Sequence, residues 1–269
     1  MKKIQFEKEI IISKACQKGS KGNDVKKIQE WLNIHAIQVG GSNTATSIDS
    51  DFGAATELAV KKFQQAKGKA ETGIVDEEVY KLLCMPMIDA YKTSITGSGF
   101  RDLVVKVANN HYERRPIELQ INGSQNLGPW VRSYCQGNEG NDWLWCMGFV
   151  QTIFDQAASY VGKDFVSLMP LTYSCDVVAL HGKTKGNLIT YNQVRSDPSR
   201  VKTGDIFLVQ KTATDWMHTG IVLSVSGDCF ETIEGNTNTG GSSNGIGVFK
   251  RTRNFLKSKL DVFSIEAFS

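Results

Sequence analysis

The stretch HTGIVLSVSGDCFETIEGNTN, residues 218–238, decides the fold of the second half of the chain. A run of apolar and β-branched residues follows His218, and a second such run comes after the turn residues Ser226–Asp228. Runs of this composition on either side of a glycine-containing turn predict an antiparallel β-hairpin. His218 lies nine residues before Gly227 and Asn236 lies nine residues after it. Pairing about the turn therefore brings His218 and Asn236 to the same end of the hairpin.

Two polar side chains near that end are candidates to orient the imidazole of His218. Glu234 and Asn236 are two residues apart, so both point to the same face of an extended strand. A catalytic imidazole needs a partner that fixes its tautomer and ring orientation, and Glu234 would also stabilise the charged form. Asp205, which follows a glycine in an earlier strand segment, is a rival third residue, although Gly-Asp is typical of a turn.

The candidate nucleophile is Cys146, which stands near the start of an apolar segment, residues 143–154, behind a loop rich in glycine and asparagine. This segment is predicted to be a buried helix with Cys146 in its first turn. The positive end of a helix favours a thiolate over a thiol, and the free N–H groups there can hold an oxyanion. A cysteine in an apolar helix is more often a small core residue, so the hypothesis requires a histidine.

Of the four histidines, His218 is the one that begins a predicted strand. His35 lies in the first half of the chain, His111 lies in a polar stretch and is expected to be exposed, and His181 is expected at a helix end. The residue types therefore predict a pair in which Cys146 attacks and His218 transfers the proton.

The use of arginine divides the chain into two parts. Residues 1–88 contain lysine but no arginine, and the first arginine is Arg101. Residues 93–99 are small and polar and include two glycines, which predicts a flexible linker. The predicted organisation is a first module at 1–88, a linker at 89–100 and a second module at 101–269.

Three short helices are predicted in the first module, because apolar residues recur at the helical period in three separate segments. Their marker residues are Val25, Ile28 and Leu32 in the first, Ala59 and Phe63 in the second, and Val79 and Leu82 in the third. Asp49 and Asp51 lie in the loop between the first two helices. They lack the other oxygen ligands of a calcium loop and are interpreted as a turn.

Four motifs follow one another in this module. They are Asp24-Val25-x-x-Ile28-Gln29-x-x-Leu32, Ile48-Asp49-Ser50-Asp51-Phe52-Gly53-x-x-Thr56, Val60-x-x-Phe63-Gln64 and Thr72-Gly73-Ile74-Val75-Asp76. In this order they resemble the peptidoglycan-binding domain type 1 family over about residues 20–85. The resemblance implies a three-helix unit that docks on bacterial cell-wall polymer. Ser50 stands where that family usually has glycine, so the turn there is expected to differ.

Four further motifs occur in the second module. They are Trp145-Cys146-x-x-Phe149-Val150, Gly204-Asp205-Ile206, His218-Thr219-Gly220-Ile221-Val222 and Thr232-Ile233-Glu234-Gly235-Asn236-Thr237-Asn238. They resemble the CHAP amidase/peptidase family, within the NlpC/P60 papain-like group, over roughly residues 101–258. The resemblance implies an α+β papain-like fold with the cysteine-bearing helix packed on an antiparallel sheet. It implies that Cys146 is the nucleophile, His218 the general base and acid, Glu234 the orienting residue and Asn236 a fourth polar member.

CHAP enzymes cut amide bonds in cell-wall peptides or in glutathionylspermidine, and the first module favours the wall. The sequence therefore predicts a peptidoglycan amidase or endopeptidase that works by a Cys-His-Glu thiol mechanism, with no metal and no cofactor. A small-molecule amidase acting on glutathionylspermidine and a catalytically inactive wall-binding protein are the alternatives. Peptidoglycan is the expected partner, and the protein is expected to be a monomer.

Composition excludes several other classes. The net charge of +3, without a basic stripe, argues against nucleic-acid binding. No apolar run approaches the roughly 18–20 residues of a membrane span. The six cysteines include no C-x-x-C pair, so neither a disulfide scaffold nor a zinc knuckle is expected.

The amino terminus is not predicted to be a conventional secretory signal peptide, because Glu7 and Glu9 interrupt what would be its apolar region. The protein is therefore expected to be made in the cytoplasm and to reach the wall or periplasm by another route. Two routes fit this expectation. One is a phage endolysin released by lysis, and the other is a secretion-system effector whose producer would need an immunity protein.

Overall fold

A computed structural model of the protein describes residues 1–41, 43–240 and 242–268. Its helices are α1 (Phe6–Glu9), α2 (Asn23–Val39), α3 (Ala54–Ala66), α4 (Glu77–Leu83), α5 (Met85–Lys92), α6 (Phe100–Glu113), α7 (Pro129–Tyr134), α8 (Cys146–Tyr160), α9 (Cys175–Lys185) and α10 (Tyr191–Ser196). Its strands are β1 (Leu119–Ile121), β2 (Ser124–Leu127), β3 (Leu188–Ile189), β4 (Ile206–Thr212), β5 (Asp215–Ser226), β6 (Cys229–Thr237), β7 (Gly247–Asn254) and β8 (Leu260–Phe263). Helices make up the first part and the sheet lies in the second, so the predicted α+β class is confirmed.

Helices α2, α3 and α4 are the three predicted helices of the first module. Val25, Ile28 and Leu32 on α2 are fully buried, as their helical spacing predicts. Phe63 on α3 is also buried. Helix α4 begins directly after Asp76, whose carboxylate accepts a hydrogen bond from the Val79 N–H at 2.9 Å and so caps the helix.

The loop between α2 and α3 is a turn held by the amide of Gln29. Its Nε2 donates to Asp49 Oδ1 at 2.8 Å, and its Oε1 accepts from the Ser50 N–H at 2.9 Å. Ser50 has a φ of 64°, in the left-handed region that glycine enters without steric cost. The backbone at Ser50 therefore has a conformation that favours glycine.

The segment predicted to be the linker, residues 89–100, contains the end of one helix and the first residue of the next. Helix α5 continues to Lys92 and α6 begins at Phe100, so residues 93–99 form the connection. Helix α5 is held because Met87, Ala90 and Tyr91, spaced at the helical period, are buried on one face. The Tyr91 ring stacks on Phe6 with a centroid distance of 4.1 Å.

The first part of the chain is in contact with the second through ion pairs and a shared core. Arg132 on α7 bonds to Glu9 on α1 at 2.7 Å and to Glu30 on α2 at 2.6 Å. One continuous cluster of buried apolar residues includes members of both parts, among them Phe6 and Phe268. The division into modules at residue 88 stays a prediction, and any such modules meet over a packed interface.

The second part is built on a six-stranded sheet in the order β3-β8-β4-β5-β6-β7, with every adjacent pair antiparallel. Strands β5 and β6 are the predicted hairpin. Ser226 pairs with Cys229 across the turn, and Ile221 pairs with Ile233 further along. Helix α8 packs on β5 and β6, and α9 packs on β5. A cysteine-bearing helix therefore lies on the hairpin that carries His218.

Candidate active site

Cys146 is the first residue of α8, as predicted. The preceding residue, Trp145, makes no side-chain cap, so no capping side chain competes for the N–H groups of the first turn. The indole of Trp145 is buried, and its Nε1 donates to Glu118 Oε2 at 2.9 Å. Trp145 therefore anchors the start of α8 in the core, and Trp143 packs edge-on against the ring of Tyr173.

Two glycines permit close packing around this helix start. A Cβ on Gly235 of β6 would lie 2.6 Å from Phe149 Cβ, so a side chain there would push the strand away from α8. A Cβ on Gly220 of β5 would lie 2.8 Å from Glu234 Cγ and would displace that carboxylate. Gly220 thus makes room for the side chain of Glu234, and Gly235 lets β6 approach α8 closely.

His218 and Glu234 are brought together across the hairpin. His218 Nε2 lies 2.9 Å from Glu234 Oε2, and both side chains are almost completely buried. His218 Nδ1 is buried and has no partner at hydrogen-bond geometry within the described residues. Nδ1 is therefore the ring nitrogen available to exchange a proton with Cys146. Hydrogen bonds between catalytic groups often shorten only when substrate binds.

Arg253 on β7 is a member of this site that the sequence reasoning missed. Its Nε donates to Glu234 Oε1 at 2.8 Å, and its Nη2 donates to Glu234 Oε2. The Thr232 hydroxyl donates to Glu234 Oε1 at 2.6 Å. The carboxylate is thus held by charge and hydrogen bonds on both oxygens, which orients the oxygen that faces His218.

The charges of the three central residues depend on one another. Burial disfavours the carboxylate of Glu234, but the bonds from Arg253 and His218 outweigh it and lower its pKa to about 2. Burial disfavours the imidazolium of His218, but its interactions with Cys146 and Glu234 raise its pKa to about 9. The site thus favours a protonated His218 beside an ionised Glu234.

The pKa of Cys146 is shifted well below its ordinary value. Hydrogen bonding with the thiol of Cys175 is the largest cause of the lowered pKa. Burial acts in the opposite direction, and the interaction with His218 lowers the pKa further. The N–H of Met147 in the first turn adds to the effect. A thiolate beside an imidazolium is the resting state of an activated cysteine nucleophile.

Cys175 is the second residue that the sequence reasoning missed, since only Cys146 was singled out among the six cysteines. It is the first residue of α9. Hydrogen bonding with Cys146, together with burial, raises its pKa well above the ordinary value, so Cys175 is the protonated member of the pair. Both cysteines are free, and 28 residues separate them in the sequence.

Both cysteines line one open cleft of about 430 Å³. Its lining residues are Leu144, Cys146, Tyr173, Ser174, Cys175, Asp215, Trp216, Met217, Ser243 and Asn244. Leu144 and Met217 are exposed among these residues, and Asp215 supplies a carboxylate. We call this feature the Cys146 cleft. The otherwise buried Cys146 is reached from solvent through this cleft.

The side chains of Asn236 and Glu234 do not lie together on one face of an extended strand, contrary to the expectation from their spacing. The β6–β7 pairing shifts register between Glu234 and Thr237, and Asn236 has a φ of 54°. This bulge breaks the alternation of side chains that an extended strand would give. Asn236 Oδ1 accepts from the Gly245 N–H at 3.2 Å, and within the described residues its buried Nδ2 has no partner. Its catalytic role stays a prediction.

Asp205 and His111 do not join the site. The carboxylate of Asp205 accepts from Arg101 at 2.7 Å and from the Lys202 N–H at 2.8 Å, which is the turn role expected from its Gly-Asp context. The prediction that His111 is exposed is wrong. His111 is fully buried between Tyr134 Oη and Gln156 Oε1, each 3.0 Å from a ring nitrogen. Burial lowers its pKa to about 4.

Within residues 1–41, 43–240 and 242–268, no three His, Cys, Asp or Glu side chains are grouped so that they could hold a metal ion. In the same residues, every helix falls short of the length and apolar character needed to cross a bilayer.

The first part of the chain matches the model of a known family. Residues 21–83 match the family model described as "Putative peptidoglycan binding domain". The match covers α2, α3 and α4 and supports association of the protein with the bacterial cell wall. Among curated proteins, no match to the chain is found.

The reactivity of Cys146 should show its lowered pKa. Iodoacetamide alkylates only the thiolate, so we expect labelling of Cys146 to be slowed far less at pH 6 than labelling of an ordinary free thiol. A free thiol with a pKa near 8.5 is slowed roughly 300-fold at that pH. The measurement is the rate of labelling of the Cys146 peptide against pH, each rate divided by its own plateau. A midpoint near 8.5 would contradict a thiolate held by this site.

Proposed function

We propose that the protein is a peptidoglycan hydrolase that cleaves an amide bond of cell-wall peptides. The observation that carries this proposal is the arrangement of Cys146 at a helix start, His218 beside it and Glu234 bonded to His218 at 2.9 Å. The resemblance of these residues to the CHAP family supports the same reaction. The match of residues 21–83 supports the wall as the substrate.

The reaction proceeds by two-step acyl transfer. The Cys146 thiolate attacks the amide carbonyl, and the free N–H groups at the start of α8 stabilise the oxyanion. His218, protonated at neutral pH, gives its proton to the leaving amine, so the C–N bond breaks and an acyl-enzyme remains. His218 then removes a proton from water, which attacks the thioester and releases the carboxylate.

Glu234 and Arg253 act on His218 rather than on the substrate. The carboxylate accepts from Nε2, so it fixes the ring with Nδ1 available to Cys146. Arg253 keeps the Glu234 carboxylate ionised and fixed in position, because the guanidinium donates hydrogen bonds to both carboxylate oxygens. The imidazole therefore meets the sulfur and the leaving amine through one nitrogen only.

The helices α2, α3 and α4 serve in this proposal to hold the enzyme on its insoluble substrate. The packed interface marked by Arg132, Glu9 and Glu30 makes the wall-binding unit a fixed neighbour of the catalytic part. A phage endolysin and a secreted antibacterial effector with a cognate immunity protein are the two settings that fit such an enzyme.

The proposal is tested by offering two amides in parallel, purified sacculi and glutathionylspermidine. We expect release of soluble peptide fragments from sacculi, because residues 21–83 concentrate the enzyme on the wall. We expect no turnover of the small amide. The Cys146→Ala variant is the control for contaminating hydrolases. Turnover of glutathionylspermidine alone would favour the small-molecule amidase, and sedimentation with sacculi without any release would favour a binding protein.

A further inference from the structure

The thiol of Cys175 has no part in the proposed acyl transfer, yet it stands beside the nucleophile. Cys146 opens α8 and Cys175 opens α9, and both line the Cys146 cleft. Both are nearly buried, with 3% and 7% of their surface exposed. A small oxidant that enters the cleft therefore meets a thiolate with a second thiol at its side.

The position of Cys175 is fixed by the strand that carries His218. Asp176 accepts a hydrogen bond from the Trp216 N–H of β5 at 2.6 Å, and Ser174 caps α9 by accepting from the Val177 N–H. Helix α9 packs along β5. The start of α9 is thus held against the strand of the catalytic imidazole, and Cys175 is held with it.

We propose that Cys175 is a resolving thiol, which converts an oxidised Cys146 into a reversible Cys146–Cys175 disulfide. This inference rests on the proposed function in that Cys146 is taken as the nucleophile of the site. The disulfide blocks the nucleophile, so the oxidised protein is inactive, and it also protects Cys146 from irreversible oxidation. The oxidant is a peroxide of the size of hydrogen peroxide.

The chemistry balances in two steps. The Cys146 thiolate attacks one oxygen of hydrogen peroxide, the O–O bond breaks, and hydroxide leaves and takes a proton to become water. Cys146 is then a sulfenic acid. The Cys175 sulfur, on losing its proton, attacks the Cys146 sulfur, so the S–S bond forms and the S–O bond breaks. The second hydroxide leaves as water. Two thiols lose two electrons, and one peroxide is reduced to two waters.

The other sulfur near α8 is the rival for this role. Cys135 is buried, and its Sγ would lie 3.1 Å from a Cβ placed on Gly148. Cys135 is not among the residues that line the Cys146 cleft. The geometry therefore favours Cys175.

The test treats the full-length protein with hydrogen peroxide and maps the cysteine peptides by mass spectrometry without reduction. We expect a Cys146–Cys175 linked peptide and a loss of about 2 Da, which dithiothreitol reverses. In Cys175→Ser we expect Cys146 to proceed to sulfinic acid, a gain of about 32 Da that dithiothreitol does not reverse. Cys229→Ser, which removes the half-buried cysteine of the β5–β6 hairpin, is the matched control and should behave like the wild type.

Three results would overturn the proposal. They are a Cys135–Cys146 linkage, sulfinic acid at Cys146 of the wild type at the same dose as in Cys175→Ser, and a Cys146 that stays unmodified in both proteins. Recovery of sacculus hydrolysis by dithiothreitol, relative to each protein's own untreated activity, is the second readout. The mass readout does not depend on hydrolysis, so a protein that forms the disulfide but leaves sacculi intact would refute the proposed function and not this inference.

Discussion

Replacing Cys146 with alanine is expected to abolish release of peptide fragments from sacculi, a loss of roughly 10⁴-fold or more. Alanine has no atom that can form the acyl-enzyme, and water activated by His218 alone is a much poorer route. The Cys146 side chain is small, so its removal leaves a minor cavity and the fold is expected to persist. Fragment release from sacculi, measured by chromatography, gives the result.

Binding provides the control for the same variant. Residues 21–83 do not include Cys146, so Cys146→Ala should sediment with sacculi as the wild type does. Cys229→Ser, in which a half-buried cysteine far along the β5–β6 hairpin is removed, should keep its hydrolytic activity. Undiminished hydrolysis by Cys146→Ala would contradict the assignment of Cys146 as the nucleophile.

Replacing His218 with alanine is the second substitution for which we expect a large effect, a loss of about 10²–10⁴-fold in hydrolysis. The variant lacks both the acid for the leaving amine and the base for water. It also lacks the cation beside Cys146, so the midpoint of iodoacetamide labelling at Cys146 should move to higher pH. The fold is expected to survive, because Arg253 still pairs with the buried carboxylate of Glu234.

The pH dependence of hydrolysis by the wild type tests the role of His218 independently. Its pKa is raised to about 9, so the imidazolium that protonates the leaving amine is present below that pH and lost as the pH rises through it. Hydrolysis should therefore decline on the alkaline side near pH 9. His181→Ala, which removes a half-buried histidine of α9, is the matched control. A His218→Ala protein with near wild-type activity and an unchanged labelling profile would contradict the assignment.

The helices and the hairpin could be predicted because their signals are local. Val25, Ile28 and Leu32 mark the buried face of α2 by spacing alone. The turn at Gly227 sets the register that places His218 near Glu234. Cys146 at the start of α8 could be expected because an apolar segment follows a loop rich in glycine and asparagine. Each of these features depends on neighbours within about twenty residues.

The residues that escaped prediction depend on contacts between distant elements. Cys175 reaches Cys146 only because α9 is fixed on β5, and no spacing in the sequence encodes that. Arg253 reaches Glu234 from β7, and the alternation of Arg251 and Arg253 in the strand after the hairpin was the available signal. His111 lies in a polar stretch but is buried, because Tyr134 and Gln156 satisfy both ring nitrogens.

Asn236 shows a different limit. Strand alternation would place its side chain on the same face as that of Glu234, but a bulge turns the side chain away. Its Oδ1 accepts a hydrogen bond from the Gly245 N–H instead. Bulges depend on pairing with a third strand, here β7, which lies beyond the hairpin. The linker is a similar case, because burial of Tyr91 against Phe6 continues α5 to Lys92, inside the range 89–100 that was predicted to be the linker.

The most direct test of the account is the chemistry of the ends that the enzyme makes. Sacculi are digested in H₂¹⁸O, and the soluble and insoluble products are sequenced by mass spectrometry. We expect new amino ends and new carboxyl ends that carry ¹⁸O in the wild type and not in Cys146→Ala. Carboxyls on the muramic lactyl group would define an amidase, and termini within the peptides an endopeptidase. Cleavage of glycan bonds alone, or the same new ends from Cys146→Ala, would contradict thiol-dependent amide hydrolysis.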